Sequence, residues 1–449
     1  MRREPDFLQN LRTEVADGRQ WRDRVVVIAF AVLAGLSIVG FTLLADATYG
    51  LYKAGREAAW WAPLLWTPAM TALIVWAVRR WAPGIAGSGV PQVLVALAPE
   101  TPLASRGAYA SWRLSMLKIA GVSASLLAGL SVGRQGPSVQ IGAGVMLAAR
   151  RWLSPNSGIS ARELLVAGGA VGLAAAFNTP LGGIVFAIEE LSRKLQERSS
   201  GLMLAAIVVG GLVSVSAFGS LSYFGRVKAE NLSWWTLLGP ALVVSLLAGL
   251  LGGLMSRLLL ASFTGLPDRF CAYRRKRPVA FAAACGFVVA VIAVVTNGET
   301  AGIGHQHTHA LLAAGTEGQT PFVFTGLKFV ASWISSWAGV PAGMFGPSLS
   351  IGAGLGADVA WLFDSPHTAA LIALGMCGFL AAVTQTPITA MIIVMEMTDG
   401  HSMVLSLITC ALLASGISRM ISRPLYGTLA ELMMRSWREP APAADGRPN

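Results

Sequence analysis

Two stretches set the chemistry open to this chain. GRQGPSVQIGAG occupies residues 133–144 and GMFGPSLSIGAG residues 343–354, and eight of their twelve positions are identical. In each, a proline (Pro137 or Pro347) follows a glycine and precedes a serine. Proline suits the first turn of a helix, where its missing N–H has no partner to lose. Both stretches therefore read as helix starts preceded by loose, glycine-rich backbone. A helix start carries about half a positive charge and several N–H groups without an intrahelical acceptor. Two such ends aimed at one point make an anion site. GSGVP at 87–91 is a third glycine-flanked start and adds the Ser88 hydroxyl, and Tyr426 in RPLYGTLAE offers a phenol just past the last apolar run.

Within the first stretch Gln135 stands between Arg134 and Gly136. Its amide has donors beside one acceptor and no comparable protonation step. It can hydrogen-bond a passing anion but cannot imitate one.

The elements that must position these residues belong to a membrane protein. Apolar residues make up 54% of the 449 positions and charged residues only 13%, against about a quarter in an ordinary soluble domain. The run from Val25 to Ala47 alone exceeds the roughly 20 residues that cross a bilayer. The net charge of +11 is carried in caps between apolar runs, with Arg2, Arg3, Arg12, Arg19, Arg22 and Arg24 before the first. Arg423, Arg435, Arg438 and Arg447 follow the last. This pattern places both termini in the cytoplasm; it is not the basic patch with exposed aromatics that nucleic acid needs. No cleavable signal peptide is expected, since residues 1–24 are polar and basic and the following run is too long for one. Cys271, Cys285, Cys377 and Cys410 show no paired spacing and read as small core residues.

Several later apolar segments, at 141–149, 164–177 and 351–363, are too short to cross alone. Interrupted backbone at membrane depth survives only where protein buries it or water lines it, and paired interrupted segments in two halves mark a transporter's binding site. The halves are legible here. LVAGGAVGLAAAFNTPLGG at 165–183 and IALGMCGFLAAVTQTPITA at 372–390 form a second pair, in the same order, at an offset of 207 residues beside the first pair's 210. The expected division is a cytoplasmic segment 1–24, a first membrane repeat 25–224, a linker 225–236, a second repeat 237–432 and a cytoplasmic tail 433–449. Whether the repeats run parallel or inverted is not readable from these residues.

GSGVP, GRQGP, GMFGP and the late tyrosine, in that order, resemble the anion-site elements of the CLC family of chloride channels and proton/chloride antiporters. AAAFNTPLGGIVFAIEE and VMEMTD add to the likeness, which runs from about residue 25 to 432. The resemblance implies an all-α polytopic fold of two inverted repeats with tilted, broken helices, a pore in each subunit, and a homodimer in the inner or plasma membrane. The sequence ends at Asn449, so the likeness is to bacterial-type members without C-terminal regulatory repeats. Carried over, Ser88 and Tyr426 lend hydroxyls to a central chloride, with the N–H groups of Met344 and Phe345 completing the site, and Gln135 and Gly136 form the outer gate. The family pattern has a glutamate where this chain has Gln135. A carboxylate there can occupy an anion site while charged and leave when protonated; a glutamine cannot.

Glu190, the second acid of EE at 189–190, matches the family's internal proton-transfer glutamate. With the outer acid absent it reads as a relic, a structural hydrogen-bonder, or part of another proton route. Lys118 either keeps the anion path positive or snorkels to an interface, and Arg134 reads as a partner of backbone carbonyls. His305, His307 and His309 alternate in GHQHTH; in a short loop they would diverge, and no carboxylate or cysteine joins them as a metal site requires. RRKR at 274–277 is a cytoplasmic charge cap.

The reading that follows is a passive chloride channel uncoupled from protons, with no cofactor. Its rival is a proton/chloride antiporter that replaces the missing carboxylate with a route through Glu190. An enzyme is disfavoured by the lack of a His-Glu-x-x-His pair or a Walker-type phosphate loop, and a scaffold has no need of repeated donor-bearing helix starts.

Overall fold

The computed structural model describes residues 18–155, 157–192, 200–219, 234–264, 269–314 and 321–438. Residues 1–17 of the expected N-terminal segment, most of the linker at 225–236 and the tail from 439 lie outside the described residues. The described chain is helical. The first half holds α1 (Gly18–Ala58), α2 (Ala62–Trp81), α3 (Val90–Leu97), α4 (Trp112–Leu127), α5 (Gln135–Ala148), α6 (Ala161–Phe177), α7 (Pro180–Phe186) and α8 (Ser200–Phe218). The second holds α9 (Trp234–Thr264), α10 (Arg269–Lys276), α11 (Pro278–Val295), α12 (His305–Ala314), α13 (Val323–Trp337) and α14 (Phe345–Leu362). It closes with α15 (Thr368–Thr384), α16 (Pro387–Thr398), α17 (Val404–Ile421) and α18 (Leu425–Arg438).

Among the described residues six helices are long and apolar enough to cross a membrane, α1, α2 and α11 among them. α1 shows how they sit. Ala31, Ala34, Ile38, Phe41 and Ala45 are buried at three- to four-residue spacing, while Leu33, Leu36, Leu43 and Leu51 are exposed. Lipid replaces water as the solvent, so large apolar side chains face outward and small ones let helices approach. The broken helices α5, α6, α14 and α15 are instead buried almost throughout. α5 lies so close to α6 that a Cβ on Gly142 would overlap the Gly168 carbonyl, and at the twin position a Cβ on Gly352 would overlap the Gly375 carbonyl.

The two halves are inverted copies. Gly133 N–H donates to the Gly343 carbonyl at 2.8 Å and Gly343 N–H to the Gly133 carbonyl at 2.9 Å. These equivalent residues form an antiparallel bridge, the reciprocal pairing that a two-fold axis produces. The same axis exchanges two acids. Glu189 accepts from the N–H groups of Ile388 and Thr389 at the start of α16, and Glu396, 207 residues on, accepts from those of Leu181 and Gly182 in α7. Each carboxylate thus satisfies the first-turn donors of the opposite repeat's short helix. α6 and α15 also end alike, on Asn178 and Gln385 in the left-handed conformation with φ of 60° and 58°.

Candidate functional site

Three helix starts converge between the repeats. α5 begins at Gln135 and α14 at Phe345, each behind one strand of the Gly133–Gly343 bridge. α3 follows the glycine turn of GSGVP, in which Gly87 has φ +71° and Gly89 φ +101°, a left-handed backbone that glycine adopts without strain. The turn presents Ser88 against α5, and a Cβ on Gly136 would overlap the Ser88 hydroxyl. Tyr426, in the first turn of α18, is 1% exposed and stacks on the Phe345 ring at 5.8 Å. Phe345 is held in turn by edge contacts with Phe177 at 5.9 Å and Phe186 at 6.2 Å.

The sequence-derived residues Ser88, Met344, Phe345 and Tyr426 are thus brought together. Buried hydroxyls ordinarily have a protein partner, yet neither Ser88 Oγ nor Tyr426 Oη has one of standard geometry among the described residues. Two inward-facing donors beside the first turns of α5 and α14 suit a dehydrated anion. Ser88, Met344 and Tyr426 line a cavity of about 600 Å³ whose wall also carries Arg79, Arg274 and Arg275.

Gln135 faces the other way. It is 2% exposed and its Oε1 has no hydrogen-bond partner among the described residues. It borders a small enclosed space with Ile303, His305 and Ser350. The amide fits because position 346 is glycine; a Cβ there would lie 2.8 Å from Oε1. Beyond it a second cavity of about 590 Å³ is bordered by Asp46, Arg134, Glu299 and His305. The small space beside Gln135 shares Ile303 and His305 with this second cavity. Glu190 lies apart, half-buried on a π-helical turn (Ala187–Ser192), and opens with Gln385 and Arg419 onto a third cavity.

Several sequence readings change. Lys118 neither snorkels nor lines the described cavities: it is fully buried, and Nζ donates to the carbonyls of Ile85 at 2.8 Å and Gly87 at 2.6 Å. Its charge is met by the backbone that shapes the Ser88 turn. Arg134 pairs with the Asp46 carboxylate of α1. The three histidines lie on α12, not in a loop, so His305 and His309 fall one turn apart with ring centroids 6.3 Å apart, while His307 stacks on Phe324 at 3.7 Å. GLSVG at 129–133 has the spacing of a nucleophile elbow, but Ser131 is buried against the Ser332 hydroxyl at 2.8 Å.

One buried lysine escaped the sequence reading. Lys328, 210 positions after Lys118, is also fully buried and donates to the carbonyls of Thr300 at 2.9 Å and Gly302 at 2.8 Å. It holds a second glycine turn, Gly302 at φ +62° and Gly304 at φ +86°, which delivers His305 at the start of α12. Its position at the repeat offset from Lys118 was legible in the sequence; its carbonyl acceptors were not.

The chain matches the family described as voltage gated chloride channel over residues 70–419. It is 30% identical over 438 residues to the H(+)/Cl(-) exchange transporter ClcA of Cronobacter sakazakii, covering 93% of this chain and 91% of that protein. It is 31% identical over 365 residues to the protein of the same name from Salmonella arizonae, covering 78% and 74%. In fold it is similar to a slow cyanobacterial Cl-/H+ antiporter, with a TM-score of 0.77 and 23% identity over 93% of this chain and 99% of that one. It is also similar to a CLC-type fluoride/proton antiporter, with a TM-score of 0.72 and 21% identity over 93% and 98%.

Proposed function

The chain belongs to the voltage-gated chloride channel family, and from that premise we propose that it passes chloride down its gradient without moving protons. The observation that carries this reading is Gln135, an amide at the constriction where the family resemblance leads one to expect a carboxylate. Chloride enters from the cavity flanked by Arg79, Arg274 and Arg275, whose charge concentrates anions at the mouth. It sheds water between the hydroxyls of Ser88 and Tyr426 and the first-turn N–H groups around Met344 and Phe345. It then crosses at Gln135 and Gly136, where the amide donates to it, and leaves past Arg134. The positive-inside bias assigns the mouth carrying Arg274 and Arg275 to the cytoplasm, with both termini. We place the protein in the inner or plasma membrane as a homodimer with one path per subunit, divide its repeats at 225–236, and assign it no enzymatic reaction.

A second reading has specific support. Relatives about 30% identical are named as H(+)/Cl(-) exchangers, and Glu190 lies within electrostatic reach of Tyr426 beside its own cavity. In that reading Glu190 feeds protons to a substitute acceptor. Purified protein in liposomes loaded with chloride separates the two. Under the uncoupled reading, chloride efflux leaves the interior positive and drives no proton uptake; sustained uphill proton uptake establishes exchange.

A further inference from the structure

The titratable group beside Gln135 is not a carboxylate but an imidazole. His305 borders both the small space that holds the Gln135 amide and the wide cavity beyond it. It is therefore the side chain a chloride meets immediately before or after the constriction. Gln135 borders the same space with its buried Oε1 unsatisfied among the described residues, an acceptor open to a donor such as a ring N–H. We propose that His305 is a proton-controlled anion donor at this outer position: protonated, it binds the chloride that passes Gln135; neutral, it lets the ion go. The inference rests on the chloride reading above and adds the residue that gives an amide-gated path its pH response.

The surroundings suit a switch. His305 is half-buried, and burial together with Arg134 and His309 holds its imidazole below the ordinary value, at about 4. It is thus neutral at physiological pH. A chloride at its ring favours the protonated form, so anion and proton bind with mutual reinforcement. The charged and titratable groups that face it are Arg134 with its partner Asp46, His307 and His309 on its own helix, and Glu299 and Lys328. Farther round the wide cavity lie Tyr49, Tyr52, Lys53 and Arg56. The small space also receives Gly346, Leu349 and Ser350 of α14 and Met397 of α16, none of which titrates. Arg134 is already neutralised by Asp46. His307 is turned onto Phe324 and toward Glu299, 3.7 Å away. His305 is left as the group that adds a charge at the constriction when it takes a proton.

The test is the chloride concentration for half-maximal flux through the purified protein in liposomes, at equal pH on both faces, compared between about pH 7.5 and about pH 4. Wild type is expected to gain affinity by about tenfold on acidification. His305→Phe abolishes the gain, His305→Lys fixes the high-affinity state at both values, and His307→Gln and His309→Gln keep the wild-type response. A gain that persists in His305→Phe, or that vanishes in His307→Gln, overturns the proposal, as does a wild-type flux whose affinity ignores pH. If His305→Phe does not assemble, His305→Gln carries the same expectation. Absence of chloride flux at either pH in every protein sinks the chloride reading itself, a distinct result.

Discussion

At Gln135 a single atom group separates two modes of gating. A carboxylate at the constriction competes with chloride while charged and yields when protonated; an amide does neither. Gln135→Glu is therefore expected to make chloride flux strongly pH-dependent, suppressed at neutral pH and recovering as pH falls toward the carboxylate range of about 4–5. Flux assays across that range check it, and an unchanged profile would remove Gln135 from the path. At the central site, the loss of one hydroxyl donor to an ion is worth about 1.5–3 kcal/mol. Tyr426→Phe and Ser88→Ala should each weaken halide binding by about tenfold to a hundredfold, measured calorimetrically in detergent. His305 and His307, on a helix outside the six long spans, both sit near 4, below the ordinary 6.5, chiefly through burial. Their unfolded forms take up protons first, so stability rises with pH between about 4 and 6.5 and falls as pH drops through that window. Thermal unfolding of wild type against His307→Gln reads it. At this scale the sequence was informative where donors came with a helix-start motif, as for Ser88, Gln135 and Phe345. It misplaced His305 in a loop, because its position depends on a turn that carries no serine and no proline.

The working element is a glycine turn clamped by a buried lysine, built twice. Lys118 holds the turn of Ser88 and Lys328 that of His305, each through two carbonyls. Lys118→Met strands two buried acceptors at about 1–3 kcal/mol each and releases Ser88, so halide affinity should fall together with thermal stability. Lys328→Met is expected to cost similar stability while leaving the central halide site intact. Equal loss of halide binding in both variants would contradict the assignment of one clamp to each end of the path. The capping acids Glu189 and Glu396 give a second pair. Glu396→Gln loses charge at the start of α7 and should destabilise by about 0.5–1 kcal/mol. The proline-led helix starts and the duplicated blocks were readable because they recur as residue patterns. The lysine clamps were not, because one lysine in an apolar run looks the same whether it reaches water or a carbonyl. Only the fold supplies the acceptors.

At the scale of the whole molecule, inversion is what brings equivalent helix starts face to face. Parallel repeats would carry the ends of α5 and α14 to corresponding positions side by side; the Gly133–Gly343 bridge sets them nose to nose. Composition gave the membrane and the offsets gave the duplication, but handedness between halves is a property of packing that periodicity does not encode. With an amide at position 135, the expected path is selective for anions and indifferent to the proton gradient as a driving force. The reversal potential of the purified protein in a planar bilayer tests this most directly, with a fixed chloride gradient and a proton gradient of about one pH unit imposed in either direction. The account predicts a potential at the chloride equilibrium value that does not move when the proton gradient is reversed. A potential that shifts with the sign of the proton gradient would mean that protons share the stoichiometry, and would contradict it.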